Sequence, residues 1–231
     1  MRLFPALIAY LLLTNTCLAQ PILLEGNLED WTHTSLVGDT IYEPIMDIEQ
    51  GVIIRAESRS SASSLNYSHE IDLNVMPILQ WQWTAQILPY AMTVNEEGLE
   101  QRITDYNEML PQGDDFVLRV IVSQTPLFSD AKSLHYVWSA NQAINSHWAI
   151  DANNKVLVVS GEGQTTMKWQ TLSRHIQKDW FELFGEHIDA IDDITLMTDS
   201  DAIKGHAVGY YGDIRALQGK PLASISKSIH N

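Results

Sequence analysis

The chain has 231 residues, 14 basic and 29 acidic side chains, a formal net charge of −15 and a single cysteine. Nucleic acids and anionic membrane surfaces are bound through clusters of lysine and arginine, and the sequence contains no such cluster, which argues against both partners. The one cysteine, Cys17, falls within the first twenty residues, so the rest of the chain has no disulfide and no thiolate metal site.

Residues 1–19 are typical of a secretory signal peptide. One charge, Arg2, precedes an apolar core at residues 3–13, and small residues at 17–19 suit cleavage. The apolar run is shorter than the roughly 20 residues of a spanning helix, so no membrane span is expected in the mature chain. A lipid anchor on Cys17 is an alternative. The sequence therefore predicts a periplasmic or secreted protein.

The mature chain is predicted to be mainly β, a single antiparallel β-sandwich or jelly roll. This domain is expected at residues 20–217, with a polar C-terminal tail at 218–231. The strongest signal is strict alternation over residues 78–87, where Leu79, Trp81 and Trp83 share one face. Further short apolar segments with a strand-like pattern occupy residues 52–57, 116–122, 134–138 and 155–160.

One helix, packed against the sandwich, is predicted near residues 174–184. Apolar residues recur there at helical spacing, Ser173 is the expected N-cap, and Gly185 supplies a C-terminal stop. Between residues 89 and 112 the strand pattern fails. This stretch is expected to be a polar surface excursion, with a short helix as one option. Connections of this length are uncommon unless they have a function or are mobile.

No familiar catalytic motif occurs, so catalytic residues are unknown and no resident cofactor is expected. Calcium binding is one alternative, because calcium takes oxygen ligands and aspartates lie at several predicted strand ends. The candidate metal ligands are Asp199, Asp201 and Asp213. The other interpretation is that these aspartates cap turns through backbone amides.

Seven residues are candidates for ligand contact. The charged candidates are an arginine and a glutamate on one face of a strand, an arginine within an apolar segment, and the aspartate four residues before that second arginine. The aromatic ones lie where a ring at a rim can stack on a sugar, although burial in the core is the alternative for the tryptophans. The set is Arg55, Glu57, Trp83, Asp115, Arg119, Trp138 and Tyr210. Arg119 is expected to pair with Asp115 or Glu57, because an unpaired buried charge is costly.

Six segments together carry a resemblance to a known family: residues 56–63, 81–83, 113–120, 136–138, 197–201 and 210–214. With them the chain resembles, from about Gly26 to Ile214, a bacterial family of exported proteins, domain of unknown function 3047. The family implies an exported domain without an established activity, and this chain departs from it in the longer excursion at 89–112. More loosely, the order of elements is similar to galactose-binding-type jelly rolls.

The sequence thus predicts an exported, monomeric β-sandwich that binds a ligand such as a saccharide or a glycan of the cell envelope. One alternative is a hydrolase or lyase acting on such a glycan, with Asp115 and Glu57 as acid–base candidates. That activity needs two carboxyl groups about 5 to 9.5 Å apart in one cleft. A structural interaction module without a small ligand is the third option.

Overall fold

The computed structural model describes residues 22–161 and 164–222. The expected signal peptide, with Cys17, and residues 223–231 of the expected tail lie outside this range. Within it the chain forms seventeen strands and one helix. They are β1 (Ile22–Leu24), β2 (Thr32–Val37), β3 (Ile41–Asp47), β4 (Gly51–Arg59), β5 (Ala62–Tyr67), β6 (Ile71–Asp72), β7 (Ile78–Ile87), β8 (Ala91–Val94), β9 (Glu100–Ile103), β10 (Arg119–Gln124), β11 (Lys132–Ser139), β12 (His147–Ala149), β13 (Asn154–Gly161), β14 (Gln170–His175), α1 (Ile176–Phe184), β15 (Ala190–Ile191), β16 (Asp193–Asp199) and β17 (His206–Leu217).

Two large sheets form the predicted β-sandwich. The described part of the first is six-stranded, in the order β14-β7-β17-β4-β3, with β1 also paired to β17; the second is seven-stranded, in the order β12-β13-β11-β10-β16-β5-β2. Neighbouring strands are antiparallel except for the parallel pair β11 and β13. No helix in the described part of the chain is long and apolar enough to cross a membrane.

The main core lies between the two sheets. The predicted alternation along β7 is confirmed over residues 79–85, since Leu79, Trp81, Trp83 and Ala85 all point into this core. It breaks at an irregularity in the pairing with β17, and Ile87 packs against a separate apolar cluster that includes Tyr210. The indole of Trp81 contacts the ring of Tyr136 from the opposite sheet, with centroids 5.3 Å apart. Since successive residues of a strand point to opposite faces, this inward set directs the residues between them to the outer surface.

The outer face of the seven-stranded sheet is covered in part by chain outside the two sheets. Phe116, Val137, Val156 and Val158 form a second buried cluster there, and Trp148 packs on it. The six-stranded sheet differs, because its outer face carries polar and aromatic residues. We call this outer face the open face.

The excursion at residues 89–112 begins with a β-hairpin, strands β8 and β9, where the sequence offered a short helix. The Asn95 carboxamide accepts hydrogen bonds from the amides of Glu97 and Leu99, and Gly98 has φ +77°. Asparagine and glycine favour such a turn over a helix. This local chemistry explains the difference.

The helix is confirmed, but it begins later than predicted. Ser173 belongs to β14, where its hydroxyl accepts a hydrogen bond from the Gln80 amide. His175 is the N-cap, and its side chain accepts from the backbone amide of Lys178. Gly185, with φ +71°, ends the helix as predicted. Residues 170–175 therefore pair with β7 as a strand, and Ser173 does not cap the helix.

Gly209 lies in β17 where the two sheets approach each other closely. A Cβ atom there would lie 2.8 Å from the Val117 carbonyl oxygen and 2.7 Å from Leu118. We expect Gly209→Ala to lower the free energy of unfolding by about 1 to 3 kcal/mol, because the backbone must shift to relieve the overlap. Urea unfolding measures this, and a wild-type midpoint for Gly209→Ala would contradict the close approach.

Candidate functional site

Arg119 is the centre of a buried charge network at the outer side of the seven-stranded sheet. Its guanidinium lies 2.8 Å from the Asp199 carboxylate and 3.4 Å from that of Asp114, and it stacks on the ring of Phe116. Burial raises the pKa of Asp199, and the adjacent positive charge of Arg119 opposes that rise. The predicted pairing of Arg119 with an acid is confirmed, but the predicted partners, Asp115 and Glu57, are wrong.

Asp115 is displaced from Arg119 because the strand begins only at Arg119, so residues 113–118 do not alternate as predicted. The Asp115 carboxylate instead accepts hydrogen bonds from the amides of Ala202 and Ile203, at 3.1 and 2.7 Å. It therefore holds the turn before β17 and does not face a cleft.

His135 extends this network without creating a nucleophile. Arg119 can only donate, so His135 Nδ1, 3.3 Å from the guanidinium, must accept and the ring proton lies on Nε2. Nε2 then donates to the Ser133 hydroxyl at 2.8 Å, which in turn donates to Asn154. Burial, together with Arg119, lowers the pKa of His135 to about 3. A histidine in this state does not activate Ser133 as a base.

The expected calcium ligands do not gather as a set. Asp115, Asp199 and Asp201 bring carboxylate oxygens within 4.8 Å of one another, whereas Asp213 pairs with Arg215 at 2.6 Å. The guanidinium of Arg119 already supplies a positive charge beside Asp199. A divalent cation at these carboxylates would have to compete with a charge that cannot be deprotonated.

Glu108 is a buried acid that the sequence pattern did not single out. Its carboxylate accepts hydrogen bonds from the Ser139 hydroxyl and the Ala140 amide, and so fixes the excursion to the end of β11. Burial raises the pKa of Glu108. A small cavity of about 150 Å³ lies there, lined in part by Glu108, Asp114 and Trp148. Because both Glu108 oxygens serve the local backbone and side chains, we assign this acid a structural role.

The open face is the outer surface of the six-stranded sheet. Strand β7 presents Gln80, Gln82, Thr84 and Gln86 there, since the residues between them fill the core. Tyr210 of β17 lies beside Thr84 in register, and its hydroxyl donates to the Gln86 side chain at 2.5 Å. The face therefore carries a row of amide and hydroxyl groups next to an aromatic ring.

A cavity of about 370 Å³ opens on this face, and we call it the aromatic cavity. Ile53 and Tyr210 belong to one apolar cluster, against which Trp169 packs from the loop before β14. A Cβ atom on Gly212 would lie 3.3 Å from the Trp169 ring, so the glycine admits the indole. The lining residues are Ile45, Asp47, Ile48, Glu49, Ile53, Thr84, Met167, Trp169 and Tyr210.

The loop that carries Trp169 is held in an unusual conformation. Met167 has φ +62°, and its amide donates to the Ala85 carbonyl oxygen at 2.7 Å. Non-glycine residues rarely adopt this conformation. The hydrogen bond to β7 holds the loop in place beside the aromatic cavity.

A charged strip follows β4 along the same face. Arg55, in register with Tyr210, lies 2.9 Å from Glu43 and 2.6 Å from Glu57. Glu57 also contacts Arg59 at 2.5 Å and His206 at 2.9 Å. Burial on its own raises the pKa of Glu57, but the hydrogen bonds from Arg55 and His206 outweigh it and the pKa is lowered.

The predicted ligand residues thus divide between three places. Tyr210, Arg55 and Glu57 lie on the open face. Arg119 and Asp115 belong to the buried network on the other sheet. Trp83 and Trp138 are 0% and 2% exposed in the core, which corrects their expected place at a rim. Their inward direction follows from their places in alternating strands.

Sequence reasoning missed Trp169, Met167, Asp47 and Glu49. The available signal for Trp169 was a single aromatic residue between two polar ones, ahead of a segment with weak alternation. Asp47 and Glu49 belong to a tight hairpin turn between β3 and β4, which a sequence pattern assigns to the turn alone. No pattern in the sequence shows that this turn and the Trp169 loop line one cavity.

Comparison with protein families gives one match. The family described as "Protein of unknown function (DUF3047)" matches residues 29–215. The chain belongs to this family. The resemblance inferred from the sequence segments is therefore confirmed over nearly the same range. None of the curated proteins compared with the chain matches it.

Several solved structures are similar to this chain at low identity. TmCBM61 in complex with β-1,4-galactotriose has a TM-score of 0.39 at 9% identity, with 84% of this chain and 92% of that chain covered. The family 12 xyloglucanase from Bacillus licheniformis has a TM-score of 0.41 at 6% identity, with 81% and 100% covered. A structure of carbohydrate-binding modules of the β-sandwich superfamily has a TM-score of 0.40 at 10% identity, with 84% and 59% covered.

We expect Asp199→Asn to lower the free energy of unfolding by about 3 to 5 kcal/mol, because it leaves a buried guanidinium without its main partner. In an Arg119→Met background the same substitution should cost much less, since the cation is gone.

The single variant Arg119→Met should also depend on pH. As the pH falls from about 8 to 4, its free energy of unfolding should rise relative to that of the double variant, which has no carboxyl group at position 199. The reason is that burial already raises the pKa of Asp199 in the fold, so the folded state takes up the proton first.

Urea unfolding of the two single variants and the double variant measures this coupling. The partly exposed pair Asp213 and Arg215 is the matched control, and the same cycle there should give about 0 to 1 kcal/mol. Additive effects of Asp199→Asn and Arg119→Met would contradict a buried ion pair.

We expect millimolar calcium to leave the melting temperature unchanged relative to chelator, because Arg119 competes for the carboxylates beside it. Native-state binding at a hundredfold excess over the dissociation constant would add about 2.7 kcal/mol. For a domain of this size that corresponds to a rise of roughly 5 to 10 °C. A rise of that size in a thermal melt, lost in Asp201→Asn, would show that the acidic group holds the ion.

Proposed function

We propose that this protein is a saccharide-binding module of the cell exterior and that the aromatic cavity on the open face is its binding site. The observation that carries the proposal is one cavity lined by Trp169, Tyr210 and Thr84 beside a row of outward glutamine amides. Its volume, about 370 Å³, is within the range of small-ligand sites.

The chemistry of a sugar ring matches this lining. A pyranose has an apolar C–H face, which stacks on an aromatic ring, and a rim of hydroxyl groups, which exchange hydrogen bonds with amides and carboxylates. Trp169 and Tyr210 supply the rings. Gln82 and Thr84 supply outward polar groups on the strand that runs beside them.

Binding is favoured over hydrolysis by the state of the carboxylates. Glu57 and Asp115, the acid–base candidates, belong to separate networks on different sheets. A general acid needs a raised pKa, whereas ion pairs lower that of Glu57. Asp115 is 0% exposed and accepts two backbone amides. Neither is free to protonate a leaving group.

The predicted export of the chain is consistent with this role. A signal peptide at residues 1–19 would deliver the mature domain to the periplasm or beyond, where envelope glycans are available. The acidic composition suits an exterior protein that does not adhere to anionic surfaces. A glycan of the envelope is therefore the partner that we propose.

A panel of soluble tetrasaccharides of glucose, galactose, N-acetylglucosamine and glucosamine, with glycan-strand fragments of peptidoglycan, tests the proposal. We expect at least one to raise the melting temperature of the mature protein. Calorimetric titration of that saccharide should then show a loss of about tenfold or more in Trp169→Ala, because one stacking ring is removed.

Trp148→Ala is the matched control, since Trp148 is also partly exposed but packs on Phe116 beside the seven-stranded sheet. It should retain wild-type affinity. If no saccharide of the panel binds, or if Trp148→Ala loses as much affinity as Trp169→Ala, the open face is not a saccharide site.

A further inference from the structure

We infer that the saccharide bound in the aromatic cavity carries a protonated amine, that is, a 2-amino sugar without its N-acetyl group. This inference rests on the proposed function and names its substrate class. Three features of the cavity support it: its acidic residues, the carboxylate oxygens that have no partner among the described residues, and its aromatic rings.

The charged residues that line the aromatic cavity all have the same sign. Asp47 and Glu49 contribute two carboxylates from the turn between β3 and β4. Among the described residues, no lysine, arginine or histidine lines this cavity. Arg55, which lies beside Tyr210 in register, has both terminal nitrogens engaged by Glu43 and Glu57. The cavity therefore has a local excess of negative charge.

The two carboxylates keep oxygen atoms available for a ligand. Oδ1 of Asp47 accepts the amides of Glu49 and Gln50, at 2.9 and 2.8 Å, which fixes the carboxylate in place. Oδ2 of Asp47 and the side chain of Glu49 have no partner among the described residues. The turn between β3 and β4 accounts for the hydrogen bonds of Asp47 Oδ1. It does not account for the carboxylate of Glu49 beside the same cavity.

The aromatic residues add a second attraction for a cation. Tryptophan is the best of the side chains for cation–π contact, and tyrosine follows it. Trp169 and Tyr210 line the same cavity as the two acids. An ammonium group on a sugar ring can be stabilised by both the carboxylates and the rings, while the C–H face of the sugar stacks on an indole. A neutral sugar can donate hydroxyl hydrogen bonds to the carboxylates but lacks the charge attraction, and an acidic sugar is repelled.

The test compares glucosamine tetrasaccharide with N-acetylglucosamine tetrasaccharide by calorimetric titration of the mature protein, at a mildly acidic pH where the sugar amine is protonated. The two ligands share one backbone and differ in the charged group. We expect the glucosamine oligomer to bind at least about tenfold more tightly. The double variant Asp47→Asn, Glu49→Gln should lose that preference. Asparagine keeps the Oδ1 acceptor, so the turn is retained.

The double variant Glu96→Gln, Glu97→Gln is the charge-matched control, because Glu96 and Glu97 are exposed acids that do not line the cavity. It should bind the glucosamine oligomer within about twofold of wild type. An equal loss in this control would mean attraction to the net negative chain and would overturn the inference. Ethanolamine is the protonated amine without a sugar ring, and affinity equal to that of the oligomer would overturn the saccharide assignment.

The outcomes separate this inference from the proposed function. Equal affinity for both oligomers, with loss of both in Trp169→Ala, would overturn the amine and leave the saccharide site in place. Binding of the N-acetylated oligomer alone would do the same. If neither oligomer nor any other saccharide of the panel binds, both the inference and the proposed function fail.

Discussion

The structure depends on the register of β17 within the six-stranded sheet. This strand pairs with β4 on one side and β7 on the other, so each of its residues points either into the core or to the open face. Tyr211 fills the core and donates its hydroxyl to the Met197 carbonyl, while Tyr210, its neighbour, lines the aromatic cavity. A slip by one residue would exchange these two faces.

The outer faces of the two sheets differ in how their charged residues are used, and this difference is the basis for placing the proposed site on the open face. On the seven-stranded sheet, Arg119 and Asp199 neutralise each other under a covering of chain that includes Phe116. Their charges are used within the fold. On the six-stranded sheet, Oδ2 of Asp47 and the carboxylate of Glu49 have no partner among the described residues and lie beside a cavity. We propose that these are the charged groups that contact a ligand.

Much of the fold follows from local patterns, whereas the site does not. The alternation over residues 78–87 and the stop at Gly185 were predictable, because strand pleat and helix termini are set by neighbouring residues. The partner of Arg119 was not predictable, since Asp199 is 80 residues away in sequence and reaches it only through the pairing of β10 with β16. Likewise, Trp169 and Asp47 line the same cavity although they are far apart in the sequence. The sequence shows which residue types are present, but only the order and pairing of the strands show which of them lie close together.

Chemical-shift mapping by NMR tests whether the open face binds a saccharide. The probe is the tetrasaccharide that gives the largest melting shift, titrated into isotope-labelled mature protein. We expect the largest perturbations to cluster at the Trp169 indole, the backbone of Tyr210 and the side-chain amides of Gln82 and Gln86. Perturbations confined to Trp148 and the neighbouring excursion, with the Trp169 indole unchanged, would contradict it.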